Sequence, residues 1–319
     1  MTILAGVDAG ATRTRALVIH DDGTPVGSGT GGPANPHNIG PGPAASEIAR
    51  AIQTAAAGET PQVVVAGVAG VEDPELRREL RYALQALQPE REIHLYSDAA
   101  VALDGAFLGG PGIIVIAGTG SVAWGRNEKG EEARAGGWGH YVDDVGSGYD
   151  IGRHGLHAVL RAHDGRGEPT SLSRMLLKAL EIDSPAQIGG TVRRTDSAQI
   201  ASLARVVVQA ADEGDAVARA ILRGAVGELA ALAAAVWQRL NFSPGHPVAP
   251  VDGVFAHARM RKAFAASLAR KCPEAVVTTP RLPAVAGAVW RALMLKGFDL
   301  GESMVSRLDA GARMVGETR

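Results

Sequence analysis

Two short runs of glycine, alanine and threonine interrupt apolar stretches of this chain, and both have the make-up of anion-binding turns. In GVDAGATRT, Asp8 is followed by Gly10, Ala11, Thr12 and Thr14. Small residues let backbone N–H groups face an anion without obstruction from Cβ atoms, and Thr12 and Thr14 can add hydroxyl donors. A carboxylate such as Asp8 beside the turn is a natural ligand for the Mg2+ that accompanies a nucleoside triphosphate. A plain hairpin turn with a capped aspartate would use the same residues. The second run, IAGTGS, places Gly118, Thr119 and Gly120 after the apolar segment IIVI. One such loop says little; two, each between strand pairs, suit a nucleotide that takes donors from two halves. Neither is GxxxxGK[ST], and neither is a GxGxxG entering a helix, so the Walker and dinucleotide readings are disfavoured.

Asp98, in YSDAAVAL, stands where a strand gives way to a helix. Ser97 and Asp98 are both suitable N-caps. The functional alternative makes Asp98 the base that takes the proton of a hydroxyl attacking a phosphoryl group. That chemistry needs positioning, Mg2+ and a carboxylate rather than a protein nucleophile. A third passage, GGWGHYVDDVGSGYDIG, combines Gly137, Trp138, His140, Asp143, Asp144 and Gly148 ahead of a helix. A Trp face and adjacent carboxylates suit a sugar ring and its hydroxyls; a turn around a core Trp is the plainer reading. His140 by itself reads as structural, and no HxxxH spacing with a Cys or carboxylate partner supports zinc. Asn35, in PANPHN, serves equally as a turn residue.

The elements that would carry these residues come in two sets. At 319 residues, with 46% hydrophobic and 21% charged side chains, the chain suits two domains with real cores. The first set is expected to run as three strands, then helix, strand, helix, strand and helix. The second repeats part of that order: strand, Gly/Thr/Ser turn, strand and NEKG turn, then helices over 149–180 and 197–240, a strand PVAPVDGVF, a helix, a strand and a closing helix. LGGPG marks the expected boundary, giving lobes 1–109 and 110–319, the second with a helical insertion.

Net charge is −2 without a basic run, which disfavours nucleic-acid partners. The single Cys272 excludes an intrachain disulfide framework and a cluster held by several thiolates of one chain, and reads as a helix-end core residue. MTILAGVDAG lacks the basic and apolar regions of a signal peptide. GELAALAAAVWQRL is too short and interrupted to span a bilayer. A cytoplasmic protein without membrane partners is expected. The Ala-rich segment 201–240 can form a homodimer face, although such helices more often fill a core.

Taken together, these passages resemble the N-acetylglucosamine kinase family, within the BadF/BadG-type group of the sugar kinase, heat-shock and actin-like ATPase superfamily. The resemblance spans GVDAGATRT, AGTGS and GGWGHYVDDVGSGY, together with VDGVFAHARM as an adenosine motif and RLPAVAGAVWRA near the end. It implies an α/β chain of two duplicated ribonuclease H-like, actin-like ATPase domains with a nucleotide cleft between them. It implies ATP and Mg2+, with transfer of a phosphoryl group to an amino sugar, first of all the 6-hydroxyl of N-acetylglucosamine. Glucosamine and N-acetylmuramic-type sugars are the competing acceptors. On this reading Asp98 is the base and Asp8 holds the metal. Gly10, Ala11, Thr12, Gly118, Thr119, Gly120 and Gly253 surround the nucleotide, and Asn35, Thr119, Gly137, Trp138, Asp144 and Gly148 meet the sugar. The chain departs from the family's GDEGS at Asp143 and Val145, and from a Gly-Gly pair at Asp252-Gly253.

Two other proteins of the same fold are possible readings. An ATPase activator of a radical dehydratase needs cysteines to bridge an iron–sulfur cluster, against which the lone Cys272 argues. A sugar-sensing regulator ordinarily appends a helix-turn-helix, and the first strand is expected within a few residues of Met1.

Overall fold

The computed structural model describes residues 1–251, 253–298 and 300–317; Asp252 of the adenosine motif lies outside them. In chain order the elements are β1 Ile3–Ala9, β2 Thr14–His20, β3 Pro25–Gly31, α1 Pro36–Ile39, α2 Pro41–Ala56, β4 Val63–Val68, α3 Pro74–Leu87, β5 Glu92–Ser97 and α4 Asp98–Phe107. There follow β6 Gly112–Ala117, β7 Ser121–Arg126, β8 Glu132–Gly136, α5 Gly148–His163, α6 Leu172–Ala179, α7 Ile188–Val192, α8 Ser197–Ser202 and α9 Ala204–Asp212. The chain ends with α10 Ala216–Arg239, β9 Pro247–Val251, α11 Ala258–Lys271, β10 Val276–Val277, α12 Ala284–Leu295 and α13 Glu302–Glu317.

These elements form two compact units, residues 1–110 with 280–319, and residues 111–279. The first has a five-stranded sheet in the order β3-β2-β1-β4-β5; the second has β8-β7-β6-β9-β10. The two orders are the same, an antiparallel three-strand meander followed by two parallel strands. Every residue of β4 is buried, as a parallel strand covered by helices on both faces must be. In the first unit, Ile48 and Ile52 of α2 and Leu80 and Leu84 of α3 pack on one face with Val7, Val64 and Val68. Helices α4 and α12 pack on the sheet and on each other.

The last forty residues therefore differ from the expected lobe 110–319. They return to the first unit because α12, apolar nearly all round, finds its contacts on β1, β4 and α4. The crossing of α12 with α4 is close enough that glycine is required on both helices. A Cβ on Gly287 would lie 2.1 Å from the Val101 carbonyl oxygen and 2.8 Å from the Gly105 Cα.

In the second unit α10 lies across β6, β7 and β8, and α11 packs against α10. By length and composition α10 could cross a membrane, being longer than the apolar stretch read from the sequence. Its Leu222, Leu229, Ala230, Ala233 and Val236 are buried in this unit's core. The expected helix over 149–180 is interrupted between α5 and α6, where DGRGEPTS supplies two glycines and a proline that cannot continue it. The segment 197–240 breaks into three helices, the last begun by an Asp215 cap that accepts from the Ala218 N–H at 2.8 Å. The strand expected over PVAPVDGVF ends at Val251, and Gly253–Ala256 forms a 3-10 turn. Cys272 is the buried C-cap of α11, and burial pushes its thiol pKa up.

Candidate active site

In the first unit, the loop after β1 closes with a hydrogen bond from the Gly10 N–H to the Arg13 carbonyl at 2.9 Å. Ala11 and Thr12 at its tip are exposed. Thr14, expected as a further donor, is fully buried, and its hydroxyl donates to the Gly32 carbonyl at 2.8 Å. As the first residue of β2 it fastens the sheet instead. Asp8 lies one residue before the end of β1, with the Arg15 guanidinium 3.9 Å from its carboxylate. The Ala34 N–H donates to the Gly10 carbonyl at 3.0 Å, which ties the segment bearing Asn35 to this loop. Asn35 caps α1 through its side-chain oxygen, which accepts from the His37 N–H at 2.9 Å.

The junction between β5 and α4 resolves the two readings of Ser97 and Asp98. Ser97 is the N-cap, accepting from the Ala100 N–H at 3.1 Å. Asp98 is the first helical residue, and one of its oxygens accepts from the Ala99 N–H at 2.8 Å. Burial pushes the Asp98 carboxyl up to about 7, helped by the negative charges of Asp8 and Glu72. A carboxylate with that pKa is half ionised near neutrality, the condition a general base needs. Asp8, Gly10, Asn35 and Asp98 thus lie in one neighbourhood. Glu72 joins them without any sequence pattern that marks it.

In the second unit the loop 136–148 lies on the loop 118–121. The Gly148 N–H donates to the Gly118 carbonyl at 2.8 Å, and the Ser121 hydroxyl donates to the Val145 carbonyl at 2.9 Å. The Val145 departure therefore leaves this anchor intact, because the anchor uses its backbone. Asp144 is buried, in a left-handed conformation with φ of 57°. Burial raises its pKa against the hydrogen bond from the Ser121 N–H, and Asp143 raises it further. A Cβ on Gly120 would lie 2.7 Å from an Asp144 carboxylate oxygen, so the loop glycine makes room for that group. Gly253, with φ of 53°, sits so close to the same loop that a Cβ would fall 2.1 Å from the Ala117 carbonyl oxygen. Gly118, Gly120, Asp144, Gly148 and Gly253 are therefore one cluster.

Gly137 packs by Val122, and its neighbour Trp138 points outward with 68% exposure. It is not a core residue. The Arg134 guanidinium lies over the Trp138 ring at 4.4 Å, and the Trp138 backbone N–H donates to the Asp143 carboxylate at 3.4 Å. His140 packs against the rings of Tyr141 and Tyr149 at 4.3 and 4.7 Å, a structural setting. Below the loop, burial would push Asp150 up, but His154, the Gly146 N–H and Arg153 together hold its pKa down at about 2. Arg134 escaped sequence reading because it belongs to no spaced motif, and Tyr149, although it ends the stretch GGWGHYVDDVGSGY, was given no role there.

Among the described residues no group of three or more His, Cys, Asp or Glu side chains could hold a metal ion by itself. The Asp8 neighbourhood nevertheless fits Mg2+ brought in with a nucleotide. Mg2+ takes oxygen ligands and is ordinarily held by one or two carboxylates together with phosphates and water. The repulsion that Asp8 and Glu72 exert on Asp98 is what a divalent cation would relieve.

Residues 5–294 match the BadF/BadG/BcrA/BcrD ATPase family. Among curated proteins, an N-acetylmuramic acid/N-acetylglucosamine kinase of Clostridium acetobutylicum is 41% identical over 165 residues, 51% of this chain and 54% of that protein. The chain thus aligns with about half the length of that relative. An N-acetyl-D-glucosamine kinase of Dictyostelium discoideum is 29% identical over 75% of this chain and 80% of its own. Among solved structures, a candidate N-acetylglucosamine kinase from Chromobacterium violaceum shares 28% identity with a TM-score of 0.76, covering 92% of this chain and 99% of that one. A glucokinase of the ROK family from Streptomyces griseus, at 17% identity and a TM-score of 0.62 over 92% of this chain and 98% of its own, shares the two-domain α/β fold.

Proposed function

The chain belongs to the BadF/BadG/BcrA/BcrD ATPase family, and from that premise we propose that it is an ATP-dependent amino-sugar kinase whose acceptor is the 6-hydroxyl of N-acetylglucosamine. The names of the Clostridium and Dictyostelium relatives support the sugar class; the 6-position rests on the kinase resemblance alone. The observation that carries the reading is Asp98, a helix-first carboxylate with its pKa near 7 and the capping duty left to Ser97.

In this reading Asp98 accepts the proton of the sugar hydroxyl as its oxygen forms a bond to the γ-phosphorus and the bond to the ADP oxygen breaks. Asp8 holds Mg2+, whose charge, when bound, offsets that of the phosphates. Backbone N–H groups around Gly10, Ala11 and Thr12, and around Gly118, Thr119 and Gly120, hold phosphate oxygens, and Gly253 supports the second set from behind. On the sugar side, Trp138 offers its free face, while Asp144, Thr119, Gly137, Gly148 and the amide nitrogen of Asn35 meet hydroxyl and acetamido groups. The protein works in the cytoplasm on small molecules.

The test is a panel of N-acetylglucosamine, N-acetylmannosamine, glucosamine and glucose under coupled ADP detection. Turnover of N-acetylglucosamine that falls at least a hundredfold in Asp98→Asn, with ATP binding retained, is expected. ATP hydrolysis indifferent to every sugar would overturn the reading.

A further inference from the structure

Asp150 takes no part in the chemistry proposed for this chain, yet it is a buried carboxylate in the first turn of α5. An acid at this third helical position ordinarily completes a capping box, its side chain returning to the backbone N–H of the N-cap. Here the N-cap is Ser147, whose hydroxyl accepts from the Asp150 N–H at 3.2 Å. The Ser147 N–H, however, donates to the Asp144 carbonyl at 3.2 Å. The Asp150 carboxylate reaches one residue further back and accepts from the buried Gly146 N–H at 3.0 Å.

That bond completes a grip on one peptide group. The Gly146 N–H and the Val145 carbonyl belong to the same planar unit, which moves as a whole. The carbonyl accepts from the Ser121 hydroxyl at 2.9 Å, so the plane is held from β7 at one edge and from α5 at the other. Helix α10 closes a third side, where a Cβ on Gly146 would fall 2.6 Å from the Ala225 carbonyl oxygen. Asp144 immediately precedes this plane, in its left-handed conformation, and its carboxylate accepts from the Ser121 N–H. A non-glycine residue persists in that conformation only where its surroundings hold it. On the other Asp150 oxygen lie an Arg153 nitrogen at 2.9 Å and the His154 Nδ1 at 3.0 Å. With its pKa at about 2 the carboxylate stays ionised throughout the neutral range, and an ionised acceptor makes the stronger hydrogen bond.

We propose that Asp150 is a positioning residue of the sugar site: with Ser121 it clamps the Val145–Gly146 peptide, and through that peptide it fixes the Asp144 carboxylate against Gly120, where a sugar hydroxyl binds. The role of Asp144 is taken from the kinase reading, whereas the clamp is a matter of the second unit's own geometry. A binding group displaced by about 1 Å can cost roughly a hundredfold in rate, so slack in this peptide is felt at the sugar.

The experiment measures kcat and both KM values, for N-acetylglucosamine and ATP, in the full chain, Asp150→Ala, Ser121→Ala, their combination, Asp150→Asn and Asp150→Glu. Asp150→Ala is expected to raise KM for the sugar at least tenfold, with kcat and KM for ATP changed less than threefold. Asp150→Asn keeps an oxygen for the Gly146 N–H and should recover most of that loss. Asp150→Glu keeps the charge for Arg153 and His154 but moves the oxygen by a methylene, and should bind the sugar more weakly than Asp150→Asn. This pair carries the test if Asp150→Ala does not fold, and the reverse order would overturn the proposal. Both jaws act on one peptide, so the double variant should fall well short of the product of the two single effects. Single effects that multiply would overturn the clamp, as would a lowered melting temperature with the sugar KM unchanged, or equal rises in both KM values. If no sugar is phosphorylated the kinase reading fails. Calorimetric binding of N-acetylglucosamine that Asp150→Ala weakens tenfold would then still support the clamp, and binding that is absent or indifferent to the substitution would overturn it.

Discussion

The guanidinium of Arg291 closes on the Asp104 carboxylate, joining α12 to α4 across 187 residues of sequence. Asp104 is only 1% exposed. The same guanidinium lies over the Tyr96 ring at 4.1 Å. Tyr96 and Asp104 stand on either side of Asp98, on the strand and the helix that meet there. Arg291 therefore holds both elements whose junction sets the Asp98 carboxyl. Removing one partner of a buried pair typically costs 3–5 kcal/mol, because the other charge is left behind. Arg291→Met is expected to lower stability by about 3 kcal/mol in urea denaturation, with kcat falling more than KM rises. Adding Asp104→Leu should restore much of the stability but not kcat.

Asp98 carries its own stability signature. Its folded pKa of about 7 exceeds the reference value of 3.8, so the folded state binds the proton more tightly than the unfolded one. The group then weakens the fold progressively as pH rises from about 4 to about 7, and the full penalty persists above that window. Three pKa units correspond to an upper bound of about 4 kcal/mol. Asp98→Asn should therefore be more stable than the parent at pH 8, by a margin that vanishes near pH 4, while losing turnover. Thermal melts of both proteins at several pH values measure this. In the parent, kcat/KM should fall about tenfold per pH unit on the acid side of pH 7.

Much of this was legible in the sequence, for physical reasons that also mark where reading fails. The strand meanders and their small-residue turns are local features, and local patterns of apolar runs and turn residues report them. Trp138 and Asp144 were visible as residue types, whereas the contact that seats Asp144 against Gly120 was not, because it joins segments with no common periodicity. The return of α12 to the first unit was missed for a similar reason. AVAGAVWRALML predicts a buried helix but not its partner; the close approach of Gly105 and Gly287 and the Arg291–Asp104 pair match it to α4. Thr14 was misjudged because a hydroxyl beside a loop can serve the sheet as easily as a ligand.

Gly253 offers a test of the nucleotide side. Its φ of 53° and the 2.1 Å approach to the Ala117 carbonyl oxygen both concern backbone, so no side chain can yield to relieve an added methyl. The left-handed conformation alone costs a non-glycine residue about 1–2 kcal/mol. Gly253→Ala must displace the 117–118 backbone or its own 3-10 turn. We expect KM for ATP to rise at least tenfold with KM for the sugar changed less than threefold, as initial-rate kinetics would reveal. Equal changes in both constants would separate Gly253 from the nucleotide.

Trp138 makes the complementary prediction for the sugar. Its ring is held from one side by Arg134 at 4.4 Å and remains 68% exposed. An exposed side chain contributes little to the core, so Trp138→Ala should change stability by less than about 0.5 kcal/mol. If the free face stacks on the sugar ring, the same substitution should raise KM for the sugar about tenfold and leave KM for ATP unaltered. Trp138→Phe keeps a flat face and should recover most of the affinity. Arg134→Ala leaves the indole present but unsupported, and a rise of twofold to fourfold is expected, smaller than for loss of the ring. Sugar titrations with all three variants, alongside their melting curves, separate a binding platform from a packing residue: packing would lower the melting temperature, and a platform would move KM alone.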